Sequence, residues 1–191
     1  MTLAAAARLA IPALWIAWVL YWAWSSRGAK RVRRRESLLS RATHVVPLAF
    51  ATLLLAAPSL PGWLGGRYGA AGEYDEGLAI ALVAAGLAFS VWARVVLGGN
   101  WSASVTLKEG HEIIRSGPYR LIRHPIYTGL IVALAGSALA CGEWRGPIAF
   151  VIAVGALWRK LRVEERWLTA EFGVRYSDYR RQTRALIPFI L

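Results

Sequence analysis

Residues 3–24 read LAAAARLAIPALWIAWVLYWAW, and residues 25–35, directly after them, read SSRGAKRVRRR. The first run carries a single charge, Arg8. It has the length of about 20 mostly apolar residues that a helix needs to cross the hydrocarbon core of a bilayer. The second run places Arg27, Lys30, Arg31, Arg33, Arg34 and Arg35 at its end. A cleaved secretory leader has the opposite order, with basic residues ahead of the apolar run. The two runs therefore predict an uncleaved span whose C-terminal flank stays in the cytoplasm.

Four more apolar stretches lie downstream, at about 42–64, 77–97, 126–142 and 147–161. The whole chain of 191 residues is 57% hydrophobic and 18% charged, with a mean hydropathy of +0.41. A soluble domain usually sits near 45–50% and about 25%. The predicted fold is therefore all-α, a polytopic transmembrane helix bundle of about five spans with a cytoplasmic C-terminal helix. Such hydrophobicity excludes disorder, and a single cysteine, Cys141, excludes a disulfide scaffold. Pro47, Pro58 and Pro61 make the second span the least regular. Arg8 and Arg94 sit near span ends, where they are expected to snorkel. Trp15, Trp18, Trp22 and Trp24 read as interfacial anchors and packing.

The charge pattern orients the bundle. Residues 25–41 hold seven Lys and Arg, 98–125 hold four and the tail from Arg159 holds eight, together nineteen of the 23. The alternate loops hold only Arg67 and Arg145. Basic loops stay inside, so the N-terminus is expected outside and the C-terminus in the cytoplasm. The net charge of +12 then reports topology and contact with anionic headgroups. It does not point to nucleic acid, because RVRRR abuts a span and no separate reading module accompanies it. The three histidines are too dispersed, and the cysteine too solitary, to suggest a metal site.

Polar chemistry concentrates in two of the inside segments. Spans four and five form a hairpin about the turn 143–146, and residues 125 and 164 are equidistant from its centre. An antiparallel pair places them at one depth. Arg123, His124 and Tyr127 are thus expected to face Glu164 and Glu165 at the cytoplasmic mouth. Pro125 suits the first position of a helix, whose free amides attract carboxylate or phosphate. An anion-accepting pole opposite a carboxylate pole, in an apolar wall, suits a zwitterionic ligand with hydroxyl groups. S-adenosylmethionine and a lipid headgroup both have that pattern.

These residues also carry a resemblance. GPYRLIRHPIYTG (117–129), EERWLTAEFGVRYSDYRRQTRALIPFI (164–190) and LGGNWSASVTLKEGHEII (97–114) resemble the isoprenylcysteine carboxyl methyltransferase family and its bacterial relatives. The shared pattern is G-x-Y-x-x-x-R-H-P-x-Y-x-G, then E-E, F-G, Y-x-x-Y and I-P, over roughly residues 94–191. The resemblance implies an integral-membrane methyltransferase that uses S-adenosylmethionine at the inner membrane face and has no Rossmann domain. It divides the chain into N-terminal transmembrane helices (1–93) and a catalytic core (94–191). Carried over by motif, the cofactor contacts are Thr106, His111, Glu112, Ile113, Ile114, Tyr119, His124, Pro125, Ile126, Tyr127 and Glu164. The basic residue four before Glu164, tied to substrate in farnesyl-cysteine enzymes, is Lys160 here rather than Arg. Lys lacks the bidentate fork that suits a carboxylate, and Arg159 or Arg162 is an alternative.

The expected reaction is an in-line displacement at a methyl carbon, driven by positioning and desolvation. Arg123 and Lys160 would orient an anionic lipophilic acceptor that enters from the bilayer. Glu165 or His124 would serve as base for a neutral amine. The acceptor atom, whether O, S or N, stays open, and abundant Ala, Gly and Arg point to a bacterial inner membrane. Two rivals stand beside this reading. One is a reductase of the sterol-reductase type using NADPH, a class with about twice the spans. The other is a non-catalytic lipid-binding protein. Without the motif, His124 reads as a helix-start cap, and the two glutamates as charges offsetting nearby Arg and Lys. Tyr176 and Tyr179, three apart, are expected to dock their helix on the pocket, and Trp101 to form part of its wall.

Overall fold

The computed structural model describes residues 3–28, 32–68, 76–101, 106–108 and 112–187. Within them run α1 (Leu3–Ser25), α2 (Leu38–Ala56), α3 (Glu76–Leu97), α4 (Pro125–Cys141), α5 (Arg145–Phe172) and α6 (Val174–Gln182). A short ribbon is added to the helices. Strand β1 (Val32–Arg35) pairs antiparallel with β2 (Thr106–Lys108), with Arg35 opposite Thr106 and Val32 opposite Lys108. The all-α reading left this ribbon out because VRRR and TLK lack the apolar alternation that marks a strand.

Among the described residues, three helices are long and apolar enough to cross a membrane, over Ala6–Gly28, Leu38–Ala56 and Glu76–Asn100. Helix α4 is apolar but shorter, at 17 residues. Two boundaries differ from the sequence expectation. Helix α2 covers 38–56 rather than 42–64. It starts early because Ser37 Oγ caps it, accepting from the Ser40 amide at 3.2 Å. It stops early because Pro58 drives Ala57 out of the helical region, to ψ 135°. Helix α5 runs on past residue 161 to Phe172, since neither Gly nor Pro interrupts 159–172. Gly173, at φ 53°, then turns the chain into α6.

Helices α3 and α4 approach closely through small residues. A Cβ on Gly86 would lie 2.5 Å from the Gly129 carbonyl oxygen, and one on Gly129 would lie 2.5 Å from the Gly86 oxygen. Close backbone approach through small residues is how helices associate where lipid removes the hydrophobic drive. Gly86→Val is therefore expected to cost about 1–3 kcal/mol by overpacking, read as a lower melting temperature in detergent. Gly155 has nothing within 4 Å of its virtual Cβ. Gly155→Ala is the matched control, expected to be neutral or stabilising.

Helix α1 lies against α3 and α4 through its tryptophans. Trp15 Nε1 donates to Ser137 Oγ at 3.0 Å, and Trp18 Nε1 donates to Ser90 Oγ at 2.8 Å. These two indoles spend their N–H groups inside the bundle rather than on headgroups, whereas Trp24 is 64% exposed. Arg94 also departs from expectation. It is buried instead of snorkelling, and donates from Nη1 to the Gly98 oxygen at 2.8 Å and from Nη2 to the Ser25 oxygen at 2.7 Å. The guanidinium thereby ties the end of α1 to the end of α3, with its carbon 4.7 Å from the centre of the Trp101 ring. At the opposite end of the bundle, buried Arg145 donates to the Leu54 oxygen at 2.8 Å and to the Ala57 oxygen. It thus satisfies carbonyls left over at the end of α2.

Candidate active site

The chain enters the site through a single 3-10 turn, Gly117–Arg120, that buries Pro118 and Tyr119. It then zips against the segment after α6. The Arg123 amide donates to the Arg184 oxygen at 2.8 Å, the His124 amide to the Ala185 oxygen at 3.0 Å, and the Arg184 amide to the Leu121 oxygen at 3.1 Å. These backbone bonds fix the approach of His124, the residue before Pro125 at the start of α4. From the other side, the antiparallel α4–α5 hairpin delivers Glu164 and Glu165.

The expected meeting takes place. Tyr127 donates from its hydroxyl to Glu164 Oε1 at 2.7 Å. The His124 ring lies parallel to the Tyr127 ring, 5.5 Å between centroids and 2° between planes. His124 Nδ1 is 3.6 Å from Glu164 Oε2, and its Nε2 is 3.5 Å from Glu165 Oε1. The Lys160 ammonium sits 5.3 Å from the Tyr127 ring centre. His124 is 7% exposed, whereas the Glu164 side chain keeps 21% of its surface open. With Oε1 engaged by Tyr127, Glu164 Oε2 lies beside the His124 imidazole.

Glu165 and Arg123 are occupied with each other. Arg123 Nε donates to Glu165 Oε1 at 2.6 Å, and both side chains are 9% exposed. Burial alone would raise the Glu165 carboxyl, but the neighbouring His124 ring and Arg123 guanidinium outweigh it and hold it at about 2. A carboxylate held so low is a poor base at neutral pH. It also sets a pH dependence. A carboxyl lower in the folded than in the unfolded chain stabilises above the unfolded value and loses that contribution as pH falls through the folded one. Stability is thus expected to be flat above 4.5, the ordinary value, and to decline from there toward about 2. Thermal melts in detergent across that window check it, and Glu165→Gln is expected to flatten the profile.

The remaining sequence-derived positions are placed as follows. Tyr119 is buried, and its carbonyl accepts from the Tyr179 hydroxyl at 2.7 Å. Tyr176 and Tyr179 are both buried, with rings 6.0 Å apart, and they dock α6 on the site. Burial pushes the Tyr179 hydroxyl up to about 12. Pro125 and Ile126 are buried in the first turn of α4. Ile114 and Trp101 pack against the core cluster that contains Tyr119, Tyr127 and Leu161. The Glu112 amide donates to Asn100 Oδ1 at 3.4 Å, while Ile113 is half-buried. Thr106 lies in β2, and His111 falls outside the described residues.

Two residues here were not singled out from sequence. Glu36 and His44 are both buried, with His44 Nε2 3.4 Å from Glu36 Oε1, and Ser40 Oγ donates to Glu36 Oε2 at 3.0 Å. His44 lies within electrostatic reach of Lys160, Glu164 and Arg159. The signal was present in the spacing: Ser40 and His44 are four apart on one face of α2, and Glu36 lies four residues before Ser40, just ahead of the Ser37 cap.

Fold and site together define an α-helical bundle with membrane-length helices and a His–Tyr–Glu cluster at the mouth of a helical hairpin. The family model of the isoprenylcysteine carboxyl methyltransferase (ICMT) family matches residues 79–170. The chain is 30% identical over 90 residues to protein-S-isoprenylcysteine O-methyltransferase A of Arabidopsis thaliana, covering 45% of this chain and 44% of that protein. It is 33% identical over 90 residues to the corresponding Saccharomyces cerevisiae methyltransferase, covering 44% and 36%. To methanethiol S-methyltransferase of Mycobacterium tuberculosis it is 39% identical over 72 residues, covering 37% and 28%. Matches to the curated relatives thus span about half of their length or less. Among solved structures, the eukaryotic intramembrane Ras methyltransferase ICMT superposes with a TM-score of 0.52 at 21% identity. That likeness of fold covers 80% of this chain and 52% of the other.

Proposed function

We propose that this chain is an integral-membrane methyltransferase that moves the methyl group of S-adenosylmethionine to a lipophilic acceptor. The observation that carries the reading is the cluster His124–Tyr127–Glu164, set by the start of α4 and the facing stretch of α5. The residues suit the cofactor's groups. Glu164 Oε2 offers an acceptor for an ammonium or ribose hydroxyls, and the first free amides of α4 offer donors for its carboxylate. Tyr119, Ile126 and Leu161 supply apolar wall nearby.

When bound, S-adenosylmethionine supplies an electrophilic methyl on a sulfonium centre. This chain's residues do the rest. Tyr127 fixes the Glu164 carboxylate by donating to Oε1. His124, stacked on Tyr127, orients Oε2 of the same carboxylate. Lys160 places one positive charge beside the same ring, where it meets an anionic acceptor. Arg123 and Glu165, locked together, position His124 rather than touching substrate. Lys160 is a point charge and suits a thiolate as well as a carboxylate, so an isoprenylcysteine-like carboxylate and a small sulfur acceptor both fit.

The wider reading has five spans, with α4 and the first part of α5 added to the three long helices. The three basic segments face the cytoplasm, probed by the N-outside, C-inside expectation, in a bacterial inner membrane. Residues 1–93 act as membrane scaffold and 94–191 as the catalytic part. The test is purification in detergent with labelled S-adenosylmethionine, a panel of lipid extracts and small thiols, and mass spectrometry of products. A methylated lipophilic product is expected. Binding of NADPH in place of S-adenosylmethionine would favour a reductase, and binding of neither a lipid-binding protein.

A further inference from the structure

Beside α6 lies a concave site that shares only Arg123 with the candidate active site. It is a cavity of about 540 Å³ open to solvent, lined by Arg123, Ser177, Arg180, Arg181, Thr183 and Arg184. Four guanidinium groups converge there. The carboxylates that answer them are Glu165, bonded to Arg123 and 3.6 Å from Arg180, and Asp178, paired with Arg181. Among the described residues, the four arginines thus outnumber these two carboxylates by two, a local surplus of positive charge that attracts an anion.

The floor is rigid. The Arg123 side chain is 9% exposed. Its Nε donates to Glu165, and its Nη1 donates to the Thr183 oxygen at 2.6 Å and the Arg180 oxygen at 3.3 Å. Those bonds fix the guanidinium of this cavity-lining residue through Nε and Nη1. A planar, preset guanidinium is matched to the oxygens of a phosphate group. The hydroxyls contribute less, because Ser177 donates to the Gly173 oxygen and Thr183 to the Tyr179 oxygen.

The rim identifies the source of the phosphate. Leu121, joined to Arg184 through the backbone, is 54% exposed, and Ile187 just beyond the cavity is 44% exposed. Exposed apolar residues beside a basic cavity suit an interface where a headgroup enters the cavity and acyl chains cover the rim. We propose that this cavity binds the phosphate of an anionic phospholipid headgroup. The inference rests on the membrane part of the functional reading and is independent of methyl transfer.

The experiment titrates the full chain in detergent with short-chain phosphatidylglycerol, phosphatidylcholine of equal chain length, and inorganic phosphate, read by native mass spectrometry. Phosphatidylglycerol is expected to bind at least about tenfold more tightly than phosphatidylcholine, and more tightly than phosphate alone. Arg181→Gln/Arg184→Gln, at exposed positions, is expected to bring the two lipids within about twofold, as is Ser177→Glu, which adds a carboxylate to the cavity. S-adenosylmethionine affinity is expected to stay unchanged in both variants. Wild-type lipid preference in these variants overturns the proposal. Phosphate binding as tightly as phosphatidylglycerol also overturns it, by making this a free-anion site. Failure of the wild type to bind S-adenosylmethionine would remove the methyltransferase reading while leaving the lipid preference as the result that decides this one.

Discussion

Glu164→Ala is expected to reduce S-adenosylmethionine affinity by at least about a hundredfold while leaving the thermal melt of the ligand-free protein close to wild type. The magnitude follows from two bonds to a charged acceptor at about 1.5–3 kcal/mol each, with about 1.4 kcal/mol per factor of ten. The apo protein is spared because the Glu164 side chain is 21% exposed and its removal leaves no buried charge. Tyr127 loses its 2.7 Å acceptor, a local cost. Glu164→Gln retains an acceptor for Tyr127 without the charge and is expected to fall between the two. Calorimetry is the direct measurement, and unchanged affinity in the alanine variant removes Glu164 from the site.

Its neighbour in sequence behaves in the opposite way. Glu165→Ala is expected to destabilise the protein by about 3–5 kcal/mol, because it strands the Arg123 guanidinium in a buried place. The double variant Arg123→Leu/Glu165→Leu is expected to recover much of that loss, since apolar side chains of similar volume often replace a buried ion pair at little cost. Denaturation of the three proteins in one detergent checks the cycle. Additive losses in the double variant would show that the two side chains do not act as a pair. One glutamate thus governs ligand affinity and the next governs stability, although they are adjacent on one helix. The reason is that Glu165 turns toward Arg123 and Arg180, and Glu164 toward Tyr127 and open space.

Much of this was legible in residue spacing. The distance of 125 and 164 from the turn at 143–146 was enough to bring His124, Tyr127 and Glu164 together, because helix rise is constant. Pro125 marked the start of α4 for a reason confined to its own missing amide. What spacing could not supply were contacts that depend on distant backbone. The exchange between 121–124 and 184–185 uses main-chain groups and leaves no trace in side-chain type. The β1–β2 ribbon is of the same kind. Arg94 read as a snorkelling residue because its partners, the carbonyls of Ser25 and Gly98, are invisible in sequence. Trp15 and Trp18 read as anchors and packing together, and their serine acceptors, lying on other helices, decide for packing. Glu36 and His44 were missed despite their regular spacing, since a span beginning near residue 42 separates the Glu36 side chain from the first turn of α2 that it packs against. A cap at Ser37 sets Glu36 directly ahead of the first turn, within reach of Ser40 and His44.

The central claim is that the start of α4 and the facing stretch of α5 around Glu164 form two walls of one ligand site. An experimental structure with bound S-adenosylhomocysteine tests it most directly. The account predicts ligand density between His124 and Glu164, with a polar group of the ligand within hydrogen-bond distance of Glu164 Oε2. Density lodged elsewhere, for instance among the arginines beside α6, with the space between His124 and Glu164 left unfilled, would contradict it.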